Sequence, residues 1–317
     1  MDFSMILGEA KDTIDRFKQG HPDGVVIIRW ATATGKSRLS VELSKFFDIE
    51  VISSDSRQIF KKMDIGTDKI SAEIRAKIPH HQIDIVNPDE QYTAGQWKQA
   101  VDQQMDTILK KGKTPFIVGG TGLYIDSVYK NFSMPECPPD PVLRRELEEK
   151  EIANPGFLHR ELSRIDPEEA QKLHPHSLRY LIRALEIYYS TWITKTESFR
   201  EQSPRHPLLM IGLRRDKEST NQLINARIKE MFQNGLVNEV EMLLSQGYAP
   251  SLQSMQGIGY KEVVGHLLNE YTYEKMEELL KRNTHHLAKK QRTRFRRYLA
   301  EGIQSPKPDV SYKVFEL

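Results

Sequence analysis

Apolar residues fall in short runs bounded by polar or turn-forming residues: "GVVIIRW" (24–30), "IEVISSDS" (49–56), "HHQIDIV" (80–86) and "TPFIVGG" (114–120). Runs of this length, rich in β-branched residues, predict strands buried in a sheet. Between them the apolar spacing turns helical, over 36–47 and again over 93–110, where Thr93 stands as a candidate N-cap. Strands alternating with helices predict a parallel sheet with helical crossovers. The texture then changes. "MPECPPDP" (134–141) holds four prolines in eight residues, which excludes helix and central strand there. From about 142 to 200 the spacing is helical only, "SPRHP" (203–207) ends that block, and "LLMIGLRR" (208–215) predicts another strand. Residues 217–301 are helical again, and "SPKPDVSYKVFEL" (305–317) reads as a tail ending in a short strand. The expected architecture is α/β, a parallel-sheet core interrupted by a helical insertion and followed by a helical C-terminal part. The expected parts are a first core segment 1–131, an insertion 132–205, a last core segment 206–304 and the tail 305–317. There is no internal repeat.

Composition narrows the class without naming a function. The chain has 317 residues, 28% charged and 38% hydrophobic, which suits a folded globular protein. With 46 basic and 44 acidic residues the net charge of +2 implies no nucleic acid by itself, so any such signal must be local. The one cysteine, Cys137, excludes an internal disulfide framework and a cysteine-based zinc site. No apolar run approaches the roughly 18 residues of a membrane span. The N-terminal "MDFSMILGEAKDTIDRF" mixes acids into its apolar positions and lacks a signal-peptide core. It predicts an amphipathic helix, and a cytoplasmic location is expected.

The candidate chemistry starts at "VVIIRWATATGKSRLS" (25–40). Gly35-Lys36-Ser37 follows a strand and opens a helix, the context of a phosphate-binding loop, G-x-x-x-x-G-K-[ST]. Such a loop converges backbone N–H groups on phosphate oxygens, and the helix N-terminus adds positive charge. Thr32, Ala33, Thr34 and Gly35 would supply amides, Lys36 would reach the phosphates, and the Ser37 hydroxyl would bind Mg²⁺. The first glycine of the pattern is replaced by Trp30. Glycine permits unusual φ/ψ there, so the indole is expected either to strain the turn or to swing over the pocket mouth. On that reading, restoring glycine improves diphosphate binding.

Ligands in open α/β sheets sit at the carboxyl ends of the strands. "SSDSRQ" places Asp55, Ser56 and Arg57 beside the loop, and "GGTGLY" places Thr121 there. Asp55 has two readings of equal weight, a general base or metal-shell carboxylate and a helix N-cap. Gly119-Gly120 could be a tight turn and nothing more. Near the C-terminus, "KRNTHHLAKKQRTRFRR" (281–297) carries eight Lys/Arg, with His285, Lys289, Arg292 and Arg296 on one helical face. A solvated face is one reading and contact with nucleic-acid phosphates the other. Arg179 and Arg183 form a second basic cluster. His80 and His81 read as strand residues, not metal ligands.

Seven stretches, "SSDSRQIFKKMDIGTDK", "HHQIDIVNPDEQYTAGQW", "IVGGTGLYI", "LHPHSLRYLIRALEIY", "GLVNEVEMLLSQGY", "MQGIGYKEV" and "AKKQRTRFRR", resemble the tRNA dimethylallyltransferase (tRNA isopentenyltransferase) family, in one order from about 25 to 298. The resemblance implies a P-loop core with a helical insertion that grips the anticodon arm. It implies a monomeric enzyme that transfers a five-carbon group from dimethylallyl diphosphate to N6 of the adenosine 3′ of the anticodon, with Mg²⁺. By the same resemblance Asp55 takes the N6 proton, Thr121 lies near the reacting groups and Arg227 contacts the diphosphate. Asp55, Ser56, Arg57 and Gln58 meet the adenosine, while Arg179, Tyr180, Leu181, Ile182 and Arg183, with Lys289, Arg292 and Arg296, meet the tRNA. Three positions depart from the pattern: Trp30-Ala31 replaces Gly-Pro, Trp192 stands at a glycine position, and Leu223 stands where arginine is common. Two other functions remain open. The phosphate loop alone would also suit an ATP-binding small-molecule kinase or NTP hydrolase, and Trp30 would also suit a tRNA-binding relative with impaired catalysis.

Overall fold

A computed structural model of the chain describes residues 2–300 and 309–317. The chain forms two compact units, one of Met1–Tyr92, Ala100–Ile125 and Pro204–Leu317, the other of Thr93–Gln99 and Asp126–Ser203. The expected boundary between the core and the tail, at 304–305, lies outside the described residues.

The first unit opens with helix α1 (Phe3–Gly20), which buries Ile6, Ala10, Ile14 and Phe17 along one stripe. Strand β1 (Val25–Arg29), helix α2 (Lys36–Leu43), strand β2 (Ile49–Ser53), helix α3 (Ala72–Lys77) and strand β3 (His80–His81) follow. Helix α4 (Ala94–Lys110) leads to β4 (Thr114–Gly119) and α5 (Gly122–Tyr129). The Thr93 hydroxyl accepts from the Gln96 N–H at 3.2 Å and caps α4. With β5 (Leu208–Arg214) and β6 (Val310–Glu316), the six strands line up in the order β3-β2-β4-β1-β5-β6, every neighbouring pair parallel. β1 is central: Ile27 stands opposite Ile117 of β4 on one side and Met210 on the other. β1, β2 and β4 are buried at every position, as a parallel sheet covered on both faces requires.

One strand differs from expectation. The predicted strand 80–86 stops after His81, because Gln82 (φ +61°) and Asp84 (φ +57°) turn the chain. The Asp84 carboxylate accounts for the departure: it accepts from Lys69 Nζ and Arg75 Nη1, each at 2.6 Å, outside any ladder.

The second unit is helical. The proline-rich segment stays irregular until Asp140 caps α6 (Pro141–Ala153), with Pro141 in the first turn. Helices α7 (Phe157–Ile165), α8 (Pro167–Lys172), α9 (Leu178–Thr191) and α10 (Lys195–Ser198) follow. Their shared core holds Leu147, Leu158, Leu162, Leu181 and Leu185. The fully buried Glu186 carboxylate is held by Arg144 Nε and Nη2 (2.8 Å each), Arg183 Nη1 (2.5 Å) and the Asp140 N–H (2.8 Å). Trp192 takes φ +58° and ends α9 in the left-handed conformation usually left to glycine. Its ring packs edge-on against Tyr188, with centroids 5.6 Å apart.

The chain returns to the first unit through β5 (Leu208–Arg214), α11 (Lys217–Gln233), α12 (Leu236–Ser245), α13 (Tyr260–Leu267) and the long α14 (Tyr273–Ala300). The expected tail strand exists as β6 (Val310–Glu316), paired with β5 from Leu208–Val310 to Arg214–Glu316. No helix among the described residues is long and apolar enough to cross a membrane.

Candidate active site

β1, β2 and β4 end at one edge of the sheet, and a cavity of about 1360 Å³ opens there, lined only by residues of the first unit. The loop after β1 forms its floor. Gly35 (φ +86°) is the left-handed residue that lets α2 begin at Lys36. The Ala31 carbonyl accepts from Thr34 Oγ1 at 3.0 Å and from Lys36 Nζ at 2.7 Å, closing the loop on itself. Thr32, Ala33, Thr34, Gly35, Lys36 and Ser37 all line the cavity.

Trp30 does not line it. The indole is buried beneath the loop, stacked on Phe295 of α14 with centroids 6.1 Å apart and an interplanar angle of 21°. It lies over Gly212 of β5, where a Cβ would come within 3.2 Å of the ring. Of the two expected outcomes the swing over the pocket mouth is therefore corrected: the ring is buried and does not line the cavity. Strain at the turn is present, since Trp30 has φ +156°, a value that L side chains rarely adopt.

The end of β2 supplies the acidic wall. No helix follows Asp55, so the N-cap reading fails; its Oδ1 accepts from the Arg57 N–H at 2.9 Å in an Asx turn. Burial pushes the Asp55 carboxyl above the usual aspartate range, against the opposing pull of that N–H and of Lys36, Arg57 and Arg227. Burial also pulls Lys36 down to about 8, and Arg227 acts in the same direction. Thr121 Oγ1 accepts from the Ser56 N–H at 3.0 Å, joining the ends of β2 and β4. Gly119 permits that approach, because a Cβ there would stand 2.6 Å from the Ser54 backbone carbon.

Arg227 of α11 lines the cavity with its Nη1 2.7 Å from Asp68 Oδ2. Gln58 is occupied structurally: it accepts from Ser53 Oγ at 2.9 Å and donates to the Thr67 and Asp68 carbonyls at 3.2 Å. Arg57 Nη1 donates to the Gln253 carbonyl at 2.8 Å. Leu223 adds apolar surface to the wall. Eight Lys/Arg against three Asp/Glu line the whole cavity, which therefore favours an anion.

Of the α14 residues expected to meet RNA, Lys289 lines the cavity, Arg296 is exposed and Arg292 is half-buried. In the helical unit Arg179 and Tyr180 are exposed. Side-chain contact with RNA at Leu181 and Ile182 is corrected, since both are buried in that unit's core. Arg183 is tied to Glu186 and to the Cys137 carbonyl at 2.8 Å. His81 is also structural, with Nε2 2.8 Å from Glu50.

Three features escaped sequence reasoning. Asp68 holds Arg227. Glu239 accepts from the Asp64, Ile65 and Gly66 N–H groups at 2.9, 2.8 and 3.2 Å and from the Tyr260 hydroxyl at 2.6 Å, fixing the turn that leads to Asp68. Gln291 of α14 reaches the phosphate loop. Glu239 and Gln291 both lie inside stretches singled out above, but only folding shows what their side chains meet.

The IPP transferase family model matches residues 58–298. A tRNA dimethylallyltransferase of Thermotoga neapolitana is 43% identical over 274 residues, 86% of this chain and 90% of that one. One from Pelotomaculum thermopropionicum is 41% identical over 276 residues, 86% of this chain and 88% of that one. Among solved structures, a full-length tRNA isopentenylpyrophosphate transferase of Bacillus halodurans aligns with TM-score 0.65 at 36% identity, covering 93% of this chain and 90% of that one. A eukaryotic dimethylallyltransferase described as acting on tRNA aligns with TM-score 0.75 at 28% identity, covering 92% of this chain and 73% of that one. A family match over most of the chain, on a parallel sheet with a phosphate loop at its edge, places this chain in the IPP transferase family, to which the tRNA dimethylallyltransferases belong.

Proposed function

We propose that this chain transfers a dimethylallyl group from dimethylallyl diphosphate to N6 of the adenosine 3′ of the anticodon in tRNA, releasing diphosphate. The observation that carries this reading is one cavity that joins a phosphate loop, a raised carboxylate and an apolar wall. The Thr32 N–H is taken by Gln291 Oε1 at 2.9 Å, so the amides of Ala33, Thr34 and Gly35, with Lys36 and Arg227, hold the diphosphate and stabilise the charge it gains as it leaves. Leu223, Ile228, Met231 and Leu287 give the five-carbon chain an apolar surface. The C–O bond of the donor breaks, its electrons leave with the diphosphate, and the N6–carbon bond forms. Asp55 accepts the proton that N6 sheds. The adenosine must leave its stack to enter such a cavity.

No group of three or more His, Cys, Asp or Glu among the described residues could hold a metal alone. Mg²⁺ is usually held by one or two protein oxygens together with substrate phosphates. Ser37 Oγ on the cavity wall, together with the oxygens of the diphosphate, fits that donor set. Bound there, Mg²⁺ would neutralise part of the diphosphate charge. A monomer in the cytoplasm belongs to the same reading.

The test is incubation with labelled dimethylallyl diphosphate and unmodified tRNA. Label is expected in the tRNA, at one adenosine. ATP turnover without tRNA, and no transfer, would instead favour a phosphate-loop hydrolase.

A further inference from the structure

Gln291 sits where the basic helix α14 meets the phosphate loop. Its Oε1 accepts from the Thr32 N–H at 2.9 Å, and its Nε2 donates to the Gly120 carbonyl at 3.0 Å. One carboxamide therefore links the loop after β1 to the turn after β4, using a donor and an acceptor that no strand partner reaches. Gly120 leaves the room for it: a Cβ there would lie 2.5 Å from Gln291 Nε2. One turn further along α14, Phe295 is fully buried against the Trp30 indole, which fixes how deeply the helix seats. Ala288 is buried on the same side of the helix.

Thr32 is the third residue after β1, and the loop's neighbouring positions are conformationally costly. Trp30 has φ +156° and Ala33 φ +61°, both outside the regions that non-glycine residues prefer. A loop that holds such angles needs outside contacts to remain in one shape. In phosphate loops the first glycine removes part of that cost; here Trp30 stands in its place.

We infer that Gln291 is a positioning residue for the donor site: it fixes the first amide of the phosphate loop from outside, seated by the Trp30–Phe295 stack, and so substitutes for the conformational freedom of the missing glycine. The inference deepens the proposed function and rests on that reading for the identity of the anion. Its action is on diphosphate affinity. Gln291 neither accepts the proton nor holds the adenosine.

The experiment uses the full chain and inorganic diphosphate with Mg²⁺ as probe, titrated by calorimetry, beside steady-state transfer. Gln291→Met keeps length and apolar packing and removes both hydrogen bonds; Gln291→Ala also removes bulk. Both are expected to weaken diphosphate binding about tenfold, the scale of one or two lost hydrogen bonds. The KM for dimethylallyl diphosphate should rise in step, with the KM for tRNA and the melting temperature little changed. A merely structural role would lower the melting temperature and raise both KM values together. Diphosphate affinity within twofold of the parent in Gln291→Met would overturn the inference, as would a rise confined to the tRNA KM. If the parent binds diphosphate and transfers nothing, the proposed function fails while the inference stands. If the parent binds no diphosphate, both fall.

Discussion

At the scale of single residues, Asp55 and Lys36 are shifted in opposite directions by one cause, and the proposed function gives each shift a consequence. Burial raises the Asp55 carboxyl and lowers Lys36 to about 8. A base acts when deprotonated, and a phosphate clamp acts when protonated. The kcat/KM for the donor should therefore rise with pH as Asp55 ionises and fall above about pH 8 as Lys36 loses its proton. Asp55→Asn should lower single-turnover transfer on the order of 10²-fold or more and flatten the acidic limb, with tRNA affinity kept. An acidic limb that survives in Asp55→Asn would assign it to another group. Of the two outcomes expected for Trp30, strain at the turn is present and the swing over the pocket mouth is not. Removing a buried Trp side chain costs about 3–5 kcal/mol, whereas relief of an unfavourable φ returns about 1–3 kcal/mol. Trp30→Gly is therefore expected to destabilise the chain in urea and to leave donor affinity unchanged or weaker. A more stable Trp30→Gly would show that strain outweighs packing. The sequence marked position 30 as unusual but could not say where the indole goes. That depends on Gly212 and Phe295, which are far away along the chain. Gln291 was hidden in the same way, a neutral residue inside a basic run.

At the scale of elements, what proved legible was whatever depends on local spacing. The buried runs of β1, β2, β4 and β5 and the cap at Thr93 follow from periodicity and side-chain chemistry. The end of β3 did not, because Asp84 turns out toward Lys69 and Arg75, which a two-residue alternation cannot reveal. α14 mixes both cases. Its basic character was plain, but its division between cavity (Lys289, Lys290, Arg294), surface (Arg296) and packed face (Ala288, with Phe295 shared between that face and the cavity wall) required the fold. If that helix meets tRNA phosphates, affinity should fall steeply with salt, by on the order of 10³-fold or more between 50 and 200 mM for six or more phosphate contacts. Arg296→Ala should lower the slope of log K against log salt by about 1. A salt-independent affinity would leave α14 as solvated surface. β6 yields a second expectation. It completes a seven-residue parallel ladder on β5 and buries Val310 and Phe315. Ending the chain at 304 would uncover that edge and lose about 1.5–3 kcal/mol for each of those two side chains. The melting temperature of the shortened chain checks this, and an unchanged value would make β6 an ornament on the sheet.

At the scale of the whole molecule, the two units differ in their chemistry, and the proposed function assigns them different substrates. The cavity, the phosphate loop, Asp55 and Arg227 all belong to the first unit. The second unit builds its own core around Leu147, Leu162 and Leu185 and satisfies its one fully buried carboxylate, Glu186, with its own arginines. Its exposed Arg179 and Tyr180 do not line the cavity. Donor binding should therefore be a property of the first unit and detectable without RNA. Diphosphate at 100 times its dissociation constant stabilises what it binds by about 2.7 kcal/mol. Amide hydrogen exchange can locate that stabilisation. Protection should increase in β1, in the loop to α2, at the end of β4 and in α14 near Gln291. Amides of α6 to α9 should exchange as before. Adding an anticodon stem-loop should then slow exchange at the N-terminal end of α9, where Arg179 and Tyr180 are exposed. Equal protection of both units by diphosphate alone would contradict the division. It would mean that the helical unit responds to the donor before any RNA is bound, and that the two substrates are linked through the protein rather than only through the reaction.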